Sequence, residues 1–159
     1  KATKKILDTH NVDLIIVGEG PEKLKLKKLA KDLTISERVH FIGFSDETHN
    51  WIANSDLYVS ASIVEGSPNS IIESVCLGTP VVAADCNFGP KEILDNGKIG
   101  ILVPTNNTSK MIKSINNILA NEKLSKELSK LSKKQKSNYS ADKISELYIR
   151  EINKLNEIN

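Results

Sequence analysis

Short apolar runs alternate with amphipathic segments along the first two thirds of the chain. Each run ends close to a glycine, proline or acidic residue and is apolar at nearly every position. Uninterrupted apolar runs of this length are typical of parallel strands that are covered on both faces. The predicted strands are residues 13–17, 39–42, 57–59, 80–84 and 99–103.

Helical patterns separate these strands. The chain opens on residues 1–10, which resemble the tail of a helix that carries Ile6 and Leu7. Pro21 suits the first position of the next helix because it needs no backbone N–H there. The inward face of that helix is predicted to consist of Leu26, Leu29, Ala30 and Leu33.

Three shorter helices follow, at residues 46–54, 69–77 and 90–94. In the first, Trp51 and Ile52 are predicted to point inward, and Gly78 is predicted to end the second. Strands and helices that alternate in this way indicate an α/β fold. We therefore predict a Rossmann-like parallel sheet with helices on both faces and right-handed crossovers.

After Thr105 the pattern is helical only, so residues 105–159 are predicted to be the helical tail of a single domain over residues 1–159. Apolar side chains recur at helical spacing in three stripes: Met111, Ile112, Ile115, Ile118 and Leu119; Leu124, Leu128 and Leu131; Ile144, Leu147, Tyr148, Ile152 and Leu155. Between them lie Lys123, Lys126, Lys130, Lys133, Lys134 and Lys136. These lysines form either a solvated face or a contact for an anionic membrane surface.

Composition narrows the classes of function. A net charge of +2 and only two arginines, Arg38 and Arg150, argue against a nucleic-acid partner. No apolar run approaches the roughly 20 residues of a membrane span. Cys76 and Cys86 lie in apolar context, as expected of reduced buried cysteines, and no histidines or cysteines show metal-ligand spacing. We expect neither a metal nor another cofactor.

Four polar loops follow predicted strands, at residues 18–21, 43–46, 61–70 and 85–90. Ligands of open α/β sheets bind beyond the carboxyl ends of the strands, so these loops are predicted to line a crevice. The first contains Gly18 and Gly20 but is only half of a dinucleotide fingerprint. Pro21 and the missing third glycine argue against a nicotinamide site.

The loop at 61–70 and the helix after it carry two carboxylates, Glu65 and Glu73. Glu73 is predicted near the first turn of its helix, where the macrodipole favours a negative charge and a carboxylate can accept from both hydroxyls of a ribose. The alternative is an ordinary helix-start glutamate. The amides around Ser67, Asn69 and Ser70 form a candidate anion site, and the alternative there is capping by Ser67 or Asn69.

These residues resemble the Glu-x7-Glu segment of the retaining glycosyltransferases of family 4, which have the two-domain GT-B fold. The resemblance rests on Glu65-Gly-Ser-Pro-Asn-Ser-Ile-Ile-Glu73 followed by Gly-Thr-Pro-Val-Val-Ala at 78–83. Shorter motifs at 17–21, 39–43, 55–59, 89–93 and 100–104 occur in the family's order and spacing. The resemblance covers residues 11–104 and implies that the chain is one half of a GT-B fold.

The resemblance also implies a role for each site residue. Glu73 would hold the ribose, and Glu65 would contact the transferred sugar together with Gly66 and Ser67. The phosphate-binding positions would be Pro68, Asn69 and Ser70, and the positions beside the base would be Gly43, Phe44 and Ser45. Many members have Phe-Gly where this chain has Ser67-Pro68, so one potential phosphate donor is lost because proline has no N–H.

By the same resemblance, the whole protein would transfer a hexose or N-acetylhexosamine from a nucleotide diphosphate, with UDP expected rather than GDP, to a glycan or lipid-linked acceptor. The anomeric configuration would be retained through a front-face, oxocarbenium-like transition state. The acceptor domain and a basic pair that clamps the diphosphate would lie N-terminal to Lys1, so this chain alone is expected to bind without catalysing. A cytoplasmic location is expected, with peripheral contact at the inner face of the cell membrane.

Two other interpretations remain open at this point. One is a non-catalytic Rossmann-like module that binds a nucleotide in the same crevice. The other is a structural or interaction domain in which both glutamates are merely solvated.

Overall fold

A computed structural model describes residues 2–156, which contain five parallel strands and eight α-helices. Strands and helices alternate up to residue 104, and only helices follow. The strands are β1 (Leu14–Val17), β2 (Val39–Gly43), β3 (Tyr58–Ser60), β4 (Val81–Asp85) and β5 (Ile101–Pro104). The helices are α1 (Ala2–Thr9), α2 (Lys23–Asp32), α3 (Thr48–Ala53), α4 (Asn69–Leu77), α5 (Pro90–Ile93), α6 (Thr108–Ala120), α7 (Glu122–Lys133) and α8 (Ala141–Asn156). The predicted α/β architecture is confirmed. Lys1 of the predicted first helix and residues 157–159 of the predicted tail lie outside the described residues.

The strands form two parallel sheets rather than one continuous ladder. β1 pairs with β2, and β3, β4 and β5 pair in that order. β3 has only three residues, and all three pair with β4. Helix α1 connects the two parts because Ile6 packs in the core of the larger sheet while Leu7 packs in the core of the smaller one.

Strand β4 lies at the centre of the larger sheet, and its side chains alternate between two hydrophobic cores. Val82 and Ala84 pack with side chains of α1, α6 and α7, whereas Val81 and Ala83 pack with side chains of α4 and α5. Both faces of the sheet are therefore covered by helices. This explains why the strand is apolar at four successive positions.

The smaller sheet covers its helix less completely than the sequence predicts. Ala30 is buried and Leu33 packs half-buried against the same core, whereas Leu26 and Leu29 are exposed, so the predicted inward face is right at two of its four positions. A sheet of two strands is narrow, and it contacts one stripe of the helix instead of a broad face. Pro21 also precedes the helix, which begins at Lys23.

Helix α3 buries one of the two residues that were predicted to point inward. Ile52 is buried and its carbonyl accepts from the Thr79 hydroxyl at 2.7 Å, which ties α3 to the turn before β4. Trp51 is exposed, so its prediction is wrong. α3 has six residues, and successive side chains of a helix point about 100° apart, so the two neighbours cannot share one contact.

The helical tail is confirmed, but its three stripes differ in burial. Met111, Ile115 and Ile118 of α6 and Leu128 of α7 are buried in the core, whereas the stripe on α8 is exposed. Within residues 2–156, no helix is long and apolar enough to cross a membrane. Both cysteines are free thiols, with Cys86 buried and Cys76 half-buried.

Candidate functional site

Helix α4 is fixed from behind and presents its start to the carboxyl edge of the larger sheet. Ile71 and Val75 are 0% exposed and pack with Val81 and Ala83 of β4. The helix spans Asn69–Leu77 and ends at Gly78 in the left-handed conformation, with φ 78°, as the sequence predicts. The loop that precedes it is therefore held at a defined place beyond the strands.

The start of α4 has no side-chain cap. Pro68 occupies the N-cap position, where its carbonyl accepts from the N–H of Ile71 at 2.9 Å. The N–H of Asn69 donates to the carbonyl of Ser67 at 2.9 Å. The alternative interpretation, that the side chain of Ser67 or Asn69 caps the helix, is thus wrong.

Three backbone donors remain open around this helix start. Within residues 2–156, no oxygen accepts from the N–H of Gly66, Ser67 or Ser70. Unpaired N–H groups at a helix start carry partial positive charge and suit an anion. Because Pro68 has no N–H and Asn69 uses its own internally, the open donors lie on both sides of these two residues.

Tyr58 of β3 contacts the helix start and is influenced by the charges of both carboxylates, although sequence reasoning missed it as a site residue. Its hydroxyl donates to Ser70 Oγ at 2.7 Å, which leaves the Ser70 hydroxyl proton free to donate outward. Burial raises the pKa of Tyr58, the bond to Ser70 lowers it, and the negative charges of Glu65 and Glu73 raise it further. The tyrosine hydroxyl in the otherwise apolar run at 57–59 was the signal available in the sequence.

The two glutamates differ in their surroundings. Glu65 is half-buried in the loop, whereas Glu73 is exposed on the helix. Glu73 is the fifth residue of α4, and no acidic residue lies in the first turn, so its predicted placement there is wrong. The macrodipole weakens beyond the first turn, so its charge is available to a ligand without a strong helix contribution.

The loops after β1 and β2 contact each other. The N–H of Gly18 donates to the carbonyl of Gly43 at 2.7 Å, where Gly43 has φ 83°. The next residue, Phe44, is 78% exposed. Ser45 Oγ accepts from the N–H of Glu47 at 3.1 Å, so this hydroxyl shapes the entry to α3. The structure thus places Gly43, Phe44 and Ser45 at one turn but gives them no hydrogen bond to the α4 loop.

The loop after β4 runs beside the α4 loop. Val64 and Asn87 form an isolated parallel bridge, and the buried Pro68 lies against Gly89. Within residues 2–156, no three histidine, cysteine or acidic side chains are grouped so that they could hold a metal ion. The chemistry of this edge is therefore that of amides, hydroxyls and two carboxylates.

The sequence matches the model of the family described as "Glycosyl transferases group 1" over residues 1–135. An uncharacterized glycosyltransferase of Haemophilus influenzae is 34% identical over 134 residues, which are 84% of this chain and 38% of that protein. A Campylobacter jejuni relative, the N-acetylgalactosamine-N,N'-diacetylbacillosaminyl-diphospho-undecaprenol 4-alpha-N-acetylgalactosaminyltransferase, is 32% identical over 73% of this chain and 32% of its own length.

The fold is likewise that of solved glycosyltransferases. A Staphylococcus aureus TarM variant, crystallised with fondaparinux, alpha-GlcNAc-glycerol and UDP, superposes with a TM-score of 0.86 at 27% identity. The match covers 94% of this chain and 31% of TarM. The chain thus spans between about a third and two fifths of the proteins it matches. The expected half of a GT-B fold is confirmed, and the chain belongs to the group 1 glycosyltransferase family.

Proposed function

We propose that this chain is the donor-binding half of a retaining glycosyltransferase that transfers a hexose or N-acetylhexosamine from a nucleotide diphosphate. The observation that carries the proposal is the open start of α4. Its free donors, the N–H groups of Gly66, Ser67 and Ser70, lie between Glu65 and Glu73 on one polar loop. This arrangement offers donors to a diphosphate and acceptors to the sugars on either side of it.

Each residue has a distinct part in the proposed complex. The open N–H groups and the Ser70 hydroxyl donate to the phosphate oxygens, and the Asn69 side-chain amide replaces the N–H that Pro68 lacks. Charge-assisted bonds of this kind contribute about 1.5–3 kcal/mol each. They also stabilise the negative charge that develops on the diphosphate as it leaves.

The two carboxylates would bind the two sugars of the donor, the ribose and the transferred sugar. Glu73 accepts from the ribose hydroxyls, and Glu65, which is less exposed, accepts from hydroxyls of the transferred sugar. In the proposal, the turn at the end of β2 binds the base; it contains Gly43, Phe44 and Ser45. The exposed Phe44 ring supplies a face on which a base can stack.

The relatives support the proposed donor and acceptor. The TarM variant was crystallised with UDP, which supports a UDP-sugar over a GDP-sugar. The Campylobacter relative acts on a diphospho-undecaprenol-linked glycan, which supports a glycan or lipid-linked acceptor. The acceptor site is proposed to belong to another domain of the same protein, and the diphosphate clamp to residues of that protein outside this chain.

A cytoplasmic location with peripheral membrane contact completes the proposal. Six lysines of α7 and the turn after it are exposed, and only Lys126 among them forms an ion pair within residues 2–156. Each lysine near an anionic surface contributes about 1 kcal/mol, so this face suits a membrane that carries a lipid-linked acceptor.

The test is a calorimetric titration of the full-length protein with UDP, GDP and a UDP-sugar, repeated with Glu73→Gln. Glutamine keeps the shape but loses the charge, so we expect UDP to bind roughly 10- to 100-fold more weakly to the variant. Glu127→Gln on α7 is the matched control, because Glu127 is also an exposed helical glutamate. The control should bind UDP as the unaltered protein does.

The same samples distinguish the proposed enzyme from the two other interpretations, the non-catalytic nucleotide module and the structural or interaction domain. If no nucleotide binds at high millimolar concentration, both donor binding and the non-catalytic nucleotide module are excluded. If UDP binds but no sugar is transferred to any acceptor, the non-catalytic module is favoured. Transfer with retention, read from the anomeric proton of the product, supports the enzyme.

A further inference from the structure

We propose that Gly89 is a positioning residue for the donor loop. In this proposal its missing side chain lets the loop at 86–89 pack on Pro68 and fixes the conformation of residues 66–70. The proposal rests on the proposed function, because the conformation it fixes is the one that presents Gly66, Ser67 and Ser70 to the diphosphate.

The steric argument is direct. A Cβ atom at Gly89 would collide with Pro68 Cδ and would lie 2.9 Å from Pro68 Cγ. Carbon atoms pack at about 3.5–4.0 Å, so one of the two loops would have to move. The proline ring cannot rotate away as a flexible side chain would, because it is closed onto the backbone.

Gly89 is held from behind, so the displacement would fall on the donor loop. Pro90 is almost completely buried, and the carbonyl of Gly89 accepts from the N–H of Ile93 at 2.9 Å. Gly66 and Ser67, by contrast, are exposed, and within residues 2–156 their backbone groups make one local hydrogen bond, in which the carbonyl of Ser67 accepts from the N–H of Asn69. A push on Pro68 therefore moves the neighbouring open N–H groups.

The two loops are joined at a second place. Val64 and Asn87 pair as a parallel bridge, four residues before Pro68 and two before Gly89. Phe88 and Gly89 both have positive φ, 64° and 93°, which turns the chain between the bridge and α5. A positive φ is unusual for a phenylalanine, and such backbone is typically maintained by surrounding structure at functional sites.

Gly97 provides a matched control. Its φ is 91°, nearly that of Gly89, but the nearest atom to an added Cβ is Leu102 Cδ1 at 4.0 Å. Gly97→Ala therefore introduces a Cβ at a similarly positive φ without the collision. The rescue by Pro68→Ala described below then separates the contact with Pro68 from the backbone strain at Gly89.

The experiment compares UDP affinity and melting temperature of Gly89→Ala and Gly97→Ala in the full-length protein. We expect both variants to lose melting temperature, but only Gly89→Ala to bind UDP more weakly, by roughly tenfold or more. Equal UDP affinity in the two variants would overturn the proposal. Failure of the unaltered protein to bind UDP would instead overturn the proposed function, and the positioning role with it.

Rescue distinguishes positioning from a general structural defect. Pro68→Ala removes Cγ and Cδ, the atoms that an added Cβ would meet. The double variant Gly89→Ala/Pro68→Ala should thus bind UDP as Pro68→Ala does, whereas the effects of Gly97→Ala and Pro68→Ala should add. If Gly89→Ala alone does not fold, the double variant should fold and show this equality. A double variant that does not fold would show that the fold itself requires Gly89 and would contradict the proposal.

Discussion

Helices α4 and α7 both have an asparagine at or next to their first residue, but their first N–H groups have different partners. At α7 the side chain of Asn121 accepts from the N–H of Leu124 at 3.0 Å, and Asn107 does the same for Lys110 at the start of α6. At α4, Ser67 and Asn69 both lie next to the start, yet neither caps it. Asparagine side chains thus cap the starts of α6 and α7, whereas the start of α4 has no side-chain cap.

The position of a single residue explains the difference. Asn121 stands at the N-cap, from which its side chain reaches a donor three residues on. At α4 that place is taken by Pro68, so Asn69 is already the first helical residue and its side chain has passed the capping position. An open start is tolerated because the rear of α4 is packed in the core. The comparison indicates that displacing a capping residue by one position leaves a helix start open to the proposed ligand.

The largest effect should come from the packing that holds α4 in place. Ile71→Ala removes a side chain that is 0% exposed and leaves a cavity. We expect a loss of about 2–5 kcal/mol in the free energy of unfolding, measured by urea denaturation. Ile152→Ala on α8 makes the same chemical change at a residue that is 54% exposed, and it should cost less than about 0.5 kcal/mol. Similar losses in both variants would contradict the assignment of the core.

A smaller effect should separate the two helix starts themselves. Asn121→Ala removes the bond to Leu124 and should lower the free energy of unfolding by about 1 kcal/mol. Asn69→Ala removes no cap, so its stability should change by no more than a few tenths of a kcal/mol, while its affinity for UDP falls. The comparison fails if Asn69→Ala destabilises the protein as much as Asn121→Ala does.

The smallest effect concerns the pH dependence of stability that arises from Tyr58, which donates to Ser70 at the start of α4. Burial and the charges of Glu65 and Glu73 raise the pKa of Tyr58 above its ordinary value of 10.0. The unfolded chain thus loses this proton at lower pH than the folded chain, and stability falls as pH rises above 10. Tyr58→Phe should reduce that slope in urea midpoints taken from pH 8 to 11. A residual slope is expected because burial also raises the pKa of Tyr139, whereas an unchanged slope would refute the assignment.

Helix α4 shows how much of the fold the sequence predicts. Its bounds, 69–77, and its end at Gly78 follow from local features, namely helical spacing and a residue suited to positive φ. The order of strands and helices also follows from local features, because each apolar run can be recognised as a strand from its own sequence. The rule that ligands bind beyond the carboxyl ends of parallel strands predicted that the loop carrying Glu65 lies at this edge, and the resemblance to family 4 implied the roles of Glu65 and Glu73.

What the sequence did not predict depends on contacts between distant parts of the chain. The exposure of Trp51, of Leu26 and of the α8 stripe depends on what covers each helix, and periodicity shows only that a face is apolar. The bond from Tyr58 to Ser70 and the contact of Gly89 with Pro68 join residues on different loops and strands. The contact of Gly89 with Pro68 leaves no pattern in the sequence, and the hydroxyl of Tyr58 in an apolar run does not show which residue it bonds.

Amide hydrogen exchange of the full-length protein with and without UDP tests the central claim most directly, because it compares the two helix starts in one sample. The account predicts slower exchange in peptides covering residues 66–70 when UDP is bound, and no change over residues 121–124, where the start of α7 is already capped. UDP binding that leaves residues 66–70 unprotected would contradict the assignment of the open start of α4 as the diphosphate site.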